Sequence, residues 1–314
     1  MGAQDRGPEP RGAGRARGLR AALRAPSAAG WAAILLGLLP ALACLLAPWI
    51  GPQDPFDPAA LSLRNAFLPP IWAAEGRAPF LLGTDGQGRD LLSAMLHGGR
   101  LSIAVAAAAT ALGLAIGALA GVAAGALGGW ADAVLMRLAE VQLTLPGILV
   151  AILINGLARA FLPPGAREAL AIPVTALAIG LSDWPQVARV ARAAAAAEAR
   201  RDFVAAARIT GLPSWRILAR HVLPGVLRPL AALAAVLLPM AAIAEATLSF
   251  LGLGAPPSTP SLGTLIRLGS EQMFAGRWWI AAFPSALLVM LALGANAAAQ
   301  SLRARADPHR EGGR

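Results

Sequence analysis

Arg201-Asp202-Phe203-Val204-Ala205-Ala206-Ala207-Arg208 leads into Gly211-Leu212-Pro213, then Ser214-Trp215-Arg216-Ile217-Leu218, with Leu223-Pro224 behind it. This stretch is the centre of a segment, roughly residues 186–228, that carries Arg189, Arg192, Arg200, Arg201, Arg208, Arg216, Arg220 and Arg228. At about 2.5 kcal/mol per arginine in the middle of a bilayer, inserting all of them would cost about 20 kcal/mol. The segment therefore stays in water. The sequence on either side has the opposite character, with long apolar runs that few charges interrupt. A charged loop held between apolar runs describes a chain that crosses a membrane repeatedly.

The composition agrees. Of 314 residues, 57% are hydrophobic and 14% charged, with a mean hydropathy of +0.60; soluble domains carry about 25% charged residues. The expected fold class is all-α, a polytopic membrane protein with about six transmembrane helices. The spans fall at about 31–50, 101–127, 134–158, 170–189, 226–252 and 279–301. Trp31 and Trp49 bracket the first, as interfacial tryptophans do. A cleaved signal peptide is the rival reading of that first run, but its length and the spans that follow favour an uncleaved anchor. Residues 1–30 read as a disordered cytoplasmic tail, rich in Gly, Pro, Ala and Arg. Residues 31–97 comprise the first helix and a proline-rich extracytoplasmic loop. Residues 98–308 form a core of five helices with a cytoplasmic loop at 190–225, and 309–314 a short cytoplasmic tail.

Orientation follows from arginine, since the chain has no lysine. With the N-terminus inside, nineteen arginines fall on the cytoplasmic side and eight outside, which places both ends in the cytoplasm. The net charge of +10 thus sets topology; it is not a nucleic-acid surface, and no nucleic-acid partner is expected.

Two features bear on how the helices pack. Gly113, Gly117, Gly121 and Gly125 recur every four residues. Four residues turn a helix by about 400°, so these glycines form one sloping stripe, and a small-residue stripe lets another helix approach closely. Pro146, Pro173, Pro185 and Pro239 fall inside expected spans, which suggests kinked, mobile helices.

Catalytic chemistry has little to build on. Cys44 is the single cysteine, and His97, His221 and His309 are far apart, so no metal site is expected. There is no His-Glu-x-x-His and no paired intramembrane aspartate. Gly83-Thr84-Asp85-Gly86-Gln87-Gly88-Arg89 lacks the Gly-Lys-Ser/Thr of a phosphate-binding loop and reads as a turn into a short helix. Any ATP used must therefore be bound by a partner. Glu245 and, more weakly, Asp183 are acids within spans. Such groups mark a translocation path by default; the competing reading is an acid satisfied by a neighbouring helix.

The basic loop itself reads as helix, glycine turn, helix, Leu-Pro. The residues leave two readings open: a helix pair that docks in a partner's groove, or a solvated loop that only sets topology.

A resemblance favours the first. Ala205-Ala206-Ala207, Gly211 and Leu223-Pro224 are similar, in order and spacing, to the Glu-Ala-Ala…Gly…Leu-Pro signature of permeases of binding-protein-dependent ABC importers. Further stretches resemble the dipeptide/oligopeptide/nickel subfamily: Leu82-Gly83-Thr84-Asp85 with Gly88-Arg89-Asp90; Gly128-Gly129-Trp130-Ala131-Asp132 with Met136-Arg137; Leu248-Ser249-Phe250-Leu251-Gly252-Leu253-Gly254; Trp278-Trp279 with Phe283-Pro284; and Asp307-Pro308. The resemblance covers about residues 31–308. It implies an ABC type I importer permease fold in a bacterial cytoplasmic membrane and a chain that is not itself an enzyme. It also implies a second permease subunit, two ATPases that bind ATP and Mg, and an extracytoplasmic binding protein that delivers cargo. The coupling element would comprise Asp202, Ala205, Ala206, Ala207, Gly211, Trp215, Leu223 and Pro224. Small peptides are the expected cargo and nickel the alternative; a membrane-embedded enzyme or a non-transporting scaffold is remote. Three positions depart from the pattern. The signature acid, which in the family helps engage the ATPase, is Ala205, although Asp202 keeps an acid one turn earlier. The usual aromatic after Trp184-Pro185 is Val187, and the signature's usual Ile is His221.

Overall fold

Asp90 starts the longest helix. Its Oδ2 accepts from the Ser93 amide (2.8 Å) and the Ser93 hydroxyl (2.6 Å), which satisfies the end that a helix otherwise leaves open. In the computed structural model, which describes residues 28–57 and 61–306, this helix, α2 (Leu91–Leu127), follows α1 (Ala28–Leu45). It is followed by α3 (Gly129–Leu143), α4 (Gly147–Phe161), α5 (Pro164–Ala199), α6 (Asp202–Ile209), α7 (Ser214–Ile217), α8 (Leu223–Phe250), α9 (Leu262–Ser270) and α10 (Trp279–Ala306). The fold is all-α: the described residues contain no strand beyond one isolated bridge between Thr84 and Asp90. Of the expected tail at 1–30, residues 28–30 instead open α1 and the rest lies outside the described residues, as do Asp307-Pro308 and the expected tail at 309–314.

α2 and α5 form the frame, and the glycine stripe is their seam. A Cβ on Gly113 would lie 3.1 Å from the Gly180 carbonyl oxygen, and one on Gly117 2.6 Å from that of Trp184. At Gly121 and Gly125 it would collide with the carbonyls of Ala188 and Arg192. Positions along both helices rise together, so α2 and α5 run parallel. The chain must return across the same thickness between them, and α3 with α4 does so. These two pass as one span only with a bend of 93° at the break.

α8 lies against both frame helices in the opposite sense. Val226, Leu230 and Leu237 pack with Val122, Val187 and Ala191. α1 runs antiparallel to α10: Gly37 meets Gly294, and Cys44 and Ala47 reach the cluster of Trp279, Ile280 and Leu287. Among the described residues four helices are long and apolar enough to cross, the bent pair makes a fifth, and α1 contributes a shorter apolar helix, Gly30–Leu45. Eighteen residues of α1 rise about 27 Å, close to the ~30 Å of bilayer hydrocarbon.

One end of the bundle is loop-rich (residues 46–57, 61–90 and 251–278), and the other carries α6, α7 and most of the described arginines. At the loop-rich end, Arg89 is buried and its Nη2 donates to the Pro257 carbonyl at 3.1 Å. Asp85 Oδ1 accepts from the amides of Gln87 and Arg89. Burial pushes the Asp85 carboxyl above its ordinary pKa and the Arg89 guanidinium below its own.

Several expectations need correction. The glycine-rich stretch 83–89 leads into the 37-residue α2 and not into a short helix, because the Asp90 cap begins α2 ten residues before the expected start of its span. The third span, 134–158, is two helices; Pro146 precedes α4 as its cap instead of sitting inside a helix. The fourth span extends to Pro164–Ala199. The run Ala193–Ala197 has strong helix propensity, so Arg189 and Arg192 ride on α5 and the exposed connection begins only at Arg200. Leu223-Pro224 does not end a short helix; it opens α8.

Candidate coupling site

α5 ends at Ala199, and after two intervening residues α6 begins with Asp202 in its first turn. Glu198 turns back to Arg201 at 3.0 Å. On α6, Val204 and Ala207 are buried against Ile217 and Leu212. Asp202, Phe203, Ala205, Ala206 and Ile209 face outward. The helix therefore spends its one apolar stripe holding α7 and leaves a second, smaller apolar face in solvent.

Gly211 ends α6 with φ of +79°, a conformation that costs glycine little and other residues more. The Leu212 amide donates to the Ala207 carbonyl at 3.2 Å, which is the six-to-one bond of a Schellman stop, and Leu212 packs back on the helix it closes. Pro213 follows, and its carbonyl takes the amides of Arg216 and Ile217 to start α7. Leu218–Val222 is one π turn. Its cause is Pro224: without an N–H it cannot bond the Arg220 carbonyl, and its ring crowds that carbonyl. The Leu223 amide bonds Leu218 instead, and α8 continues from there. The tip is thus joined to α5 by two residues and to α8 by unbroken helix.

The tip's surface is apolar and basic together. Trp215 is 65% exposed and Ile209 87%. The Arg216 guanidinium lies 5.2 Å from the Trp215 ring centre, and Phe203 sits 6.0 Å from the His221 ring. Arg200, Arg201 and Arg220 add charge, and Asp202 is the exposed acid among them. Of the expected coupling residues, Ala207 alone is fully buried and Leu223 is half-buried; Asp202, Ala205, Ala206, Gly211, Trp215 and Pro224 are exposed.

The two intramembrane acids differ. Asp183 lies at the middle of α5, half-buried, on the side that faces Gly113. Glu245 is 1% exposed. Ser249 donates to its Oε1 at 2.7 Å, and Ser102 and Ser261 lie beside it. Ser261 is also the cap of α9, accepting from the Thr264 amide. Glu245 thus sits where α2, α8 and the start of α9 converge. Within this subunit it is buried at that junction, as in the competing reading of an acid satisfied by neighbouring helices. Among the described residues no three His, Cys, Asp or Glu side chains are grouped to hold a metal ion.

Some contacts were missed in the sequence: the Asp132–Arg192 ion pair, the hydrogen bonds of Gln142 to α5 and the serines around Glu245. The signal for Gln142 was available, since a lone amide inside an apolar run needs a partner.

The family of binding-protein-dependent transport system inner membrane components matches residues 92–308. A di/tripeptide transport system permease protein, DppC, of Pseudomonas aeruginosa is 36% identical over 277 residues, covering 88% of this chain and 86% of that protein. The dipeptide transport system permease protein DppC of Haemophilus influenzae is 34% identical over 271 residues, covering 86% and 87%. That of Escherichia coli K12 is 36% identical over 266 residues, covering 84% and 83%. The matched region takes in the glycine seam, the bent pair and the whole α5–α8 connection, and the chain belongs to the family of binding-protein-dependent transport system inner membrane components.

Proposed function

We propose that this chain is one of two permease subunits of an ATP-driven importer of di- or tripeptides, and that α6 and α7 are its contact with an ATPase. The observation that carries the coupling reading is the tip itself. It is a short helix pair with an exposed aromatic and basic surface, attached without slack to two long helices that reach the other end of the bundle. The peptide reading is supported by relatives named for dipeptide or di/tripeptide transport that align over more than four-fifths of the chain.

In this reading the basic end faces the cytoplasm, as the arginine distribution favours, and both termini lie there. The ATPase subunits, one per permease subunit, hold ATP and Mg. Asp202 supplies the acid that Ala205 lacks, since i and i+3 share a helix face. Asp183 faces the path, because an ionisable group at mid-span is placed toward water, cargo or a partner subunit and away from lipid. The loop-rich end receives the cargo-loaded binding protein.

The test is reconstitution of the full complex, with its partner permease, ATPases and binding protein, in proteoliposomes. Peptide-loaded binding protein is expected to stimulate ATP hydrolysis and drive labelled peptide inside. Stimulation by nickel-loaded binding protein alone would overturn the peptide reading.

A further inference from the structure

Pro185 lies inside α5 and is buried. It has no N–H, so the Leu181 carbonyl four residues earlier loses its helical donor. Gln142, in the last turn of α3, supplies one: its Nε2 donates to that carbonyl at 2.6 Å. The oxygen of the same amide accepts from the Trp184 indole N–H at 2.8 Å. One side chain thus brackets the kink from both sides. In a span, where water is absent, a carbonyl left unpaired is costly, so the bracket is a real constraint on where α3 can lie.

A second attachment joins the same two helices nearer the basic end. Asp132, ten residues or about 15 Å before Gln142 along α3, takes Arg192 through both carboxylate oxygens, with Nη2 to Oδ2 at 2.6 Å. α3 is therefore pinned at both ends to the half of α5 that leads into α6. Immediately after Gln142 the constraint stops. Thr144-Leu145-Pro146 separates α3 from α4, and the two helices meet at 93°.

We propose that Gln142 is a positioning residue of the transport cycle, making α3 and the basic-end half of α5 one rigid piece that carries displacement of α6 to the elbow at 144–146. α4 is the part that then swings. The proposal rests on the reading of α6 as the ATPase contact.

The experiment uses the complete complex in proteoliposomes. Gln142→Leu keeps much of the side-chain volume and removes both hydrogen bonds. ATP hydrolysis is expected to persist, while cargo moved per ATP falls by about three- to tenfold, the range set by one or two interhelical hydrogen bonds in a membrane. Pro185→Ala gives Leu181 back its helical donor, so in that background Gln142→Leu should cost much less. A role in packing alone predicts equal losses in both backgrounds. A spectroscopic arm needs no cargo. Spin labels on L138C and R189C in a C44A chain report the spacing of α3 and α5. That spacing is expected to be the same with and without trapped ATP, and to broaden in Q142L. A wild-type spacing that changes with nucleotide, or an unchanged transport-to-hydrolysis ratio in Q142L, would overturn the proposal. A complex that hydrolyses ATP but ignores peptide overturns the cargo reading alone, because the labels still report on the clamp.

Discussion

Gly121 allows no side chain. The α5 backbone passes so close that any Cβ there meets the Ala188 carbonyl and Ala191. Gly121→Val must push α2 and α5 apart, and overpacking of this kind costs about 1–3 kcal/mol. The expected result is a lower melting point in detergent and less assembled complex. Gly156 is the internal control: a Cβ there meets nothing within 4 Å, so Gly156→Ala should leave the melting point unchanged or slightly higher. At Glu245 the chemistry decides. Glu245→Gln keeps an acceptor for the Ser249 hydroxyl, whereas Glu245→Ala strands it in a buried site at a cost of about 1–3 kcal/mol. Melting curves should therefore rank wild type and E245Q together, above E245A. An E245Q protein that is stable yet cannot transport would assign Glu245 to the translocation path. Both sites were only half legible in sequence. The glycine spacing announced a close helix contact without naming the partner, and a lone intramembrane acid says nothing of the serines that α2 and α9 bring to it.

At the scale of elements, the tip between α5 and α8 was legible in outline because its signals are local. Gly211 and Pro213 stop a helix wherever they occur, and the arginines forbid insertion regardless of context. The joints with its neighbours were not local. The Leu-Pro pair that ends one helix by a simple reading instead opens a longer one through a π turn, because α8 continues into packed bilayer-length helix. Two variants separate turn geometry from surface contact. Gly211→Val finds open space but must hold φ near +79°, which costs a β-branched residue about 1–2 kcal/mol. Its expected effect is loss of ATPase-stimulated transport with the bundle still folded, visible as an unchanged helical circular dichroism spectrum. Trp215→Ala leaves the turn intact and removes an exposed aromatic. It should weaken ATPase binding by about tenfold, since interface tryptophans commonly carry 1 kcal/mol or more. Co-purification of the ATPase with W215A at wild-type level would remove Trp215 from the interface.

At the scale of the molecule, the pairing of α2 with α5 sets the crossing number. Because these helices run parallel, the bent pair between them returns the chain across the bundle as a fifth candidate span, and a sixth crossing is expected if the shorter α1 also spans. Reporter fusions or cysteine labelling should place residue 75 and residue 209 on opposite sides of the membrane, with residue 209 inside. Finding the two on the same side would mean that α3 and α4 return to the side they left.

The amino-acid sequence alone determined that this protein is helical, that it lives in a membrane, and that an arginine-rich segment at roughly 186–228 is too charged to insert as a whole. These properties follow from hydropathy, charge and helix stops, which each residue contributes independently of distant parts of the chain. The tertiary structure decided which helices touch. Gly121 meets Ala188, Gln142 reaches Leu181 across 39 positions, and Asp132 finds Arg192 across 60. Such contacts depend on pairs of residues, and only close packing in three dimensions selects one set of pairs over another. The same holds for Arg192 itself. As a charge in the sequence it marked a loop, but on α5 it fastens one helix to the next.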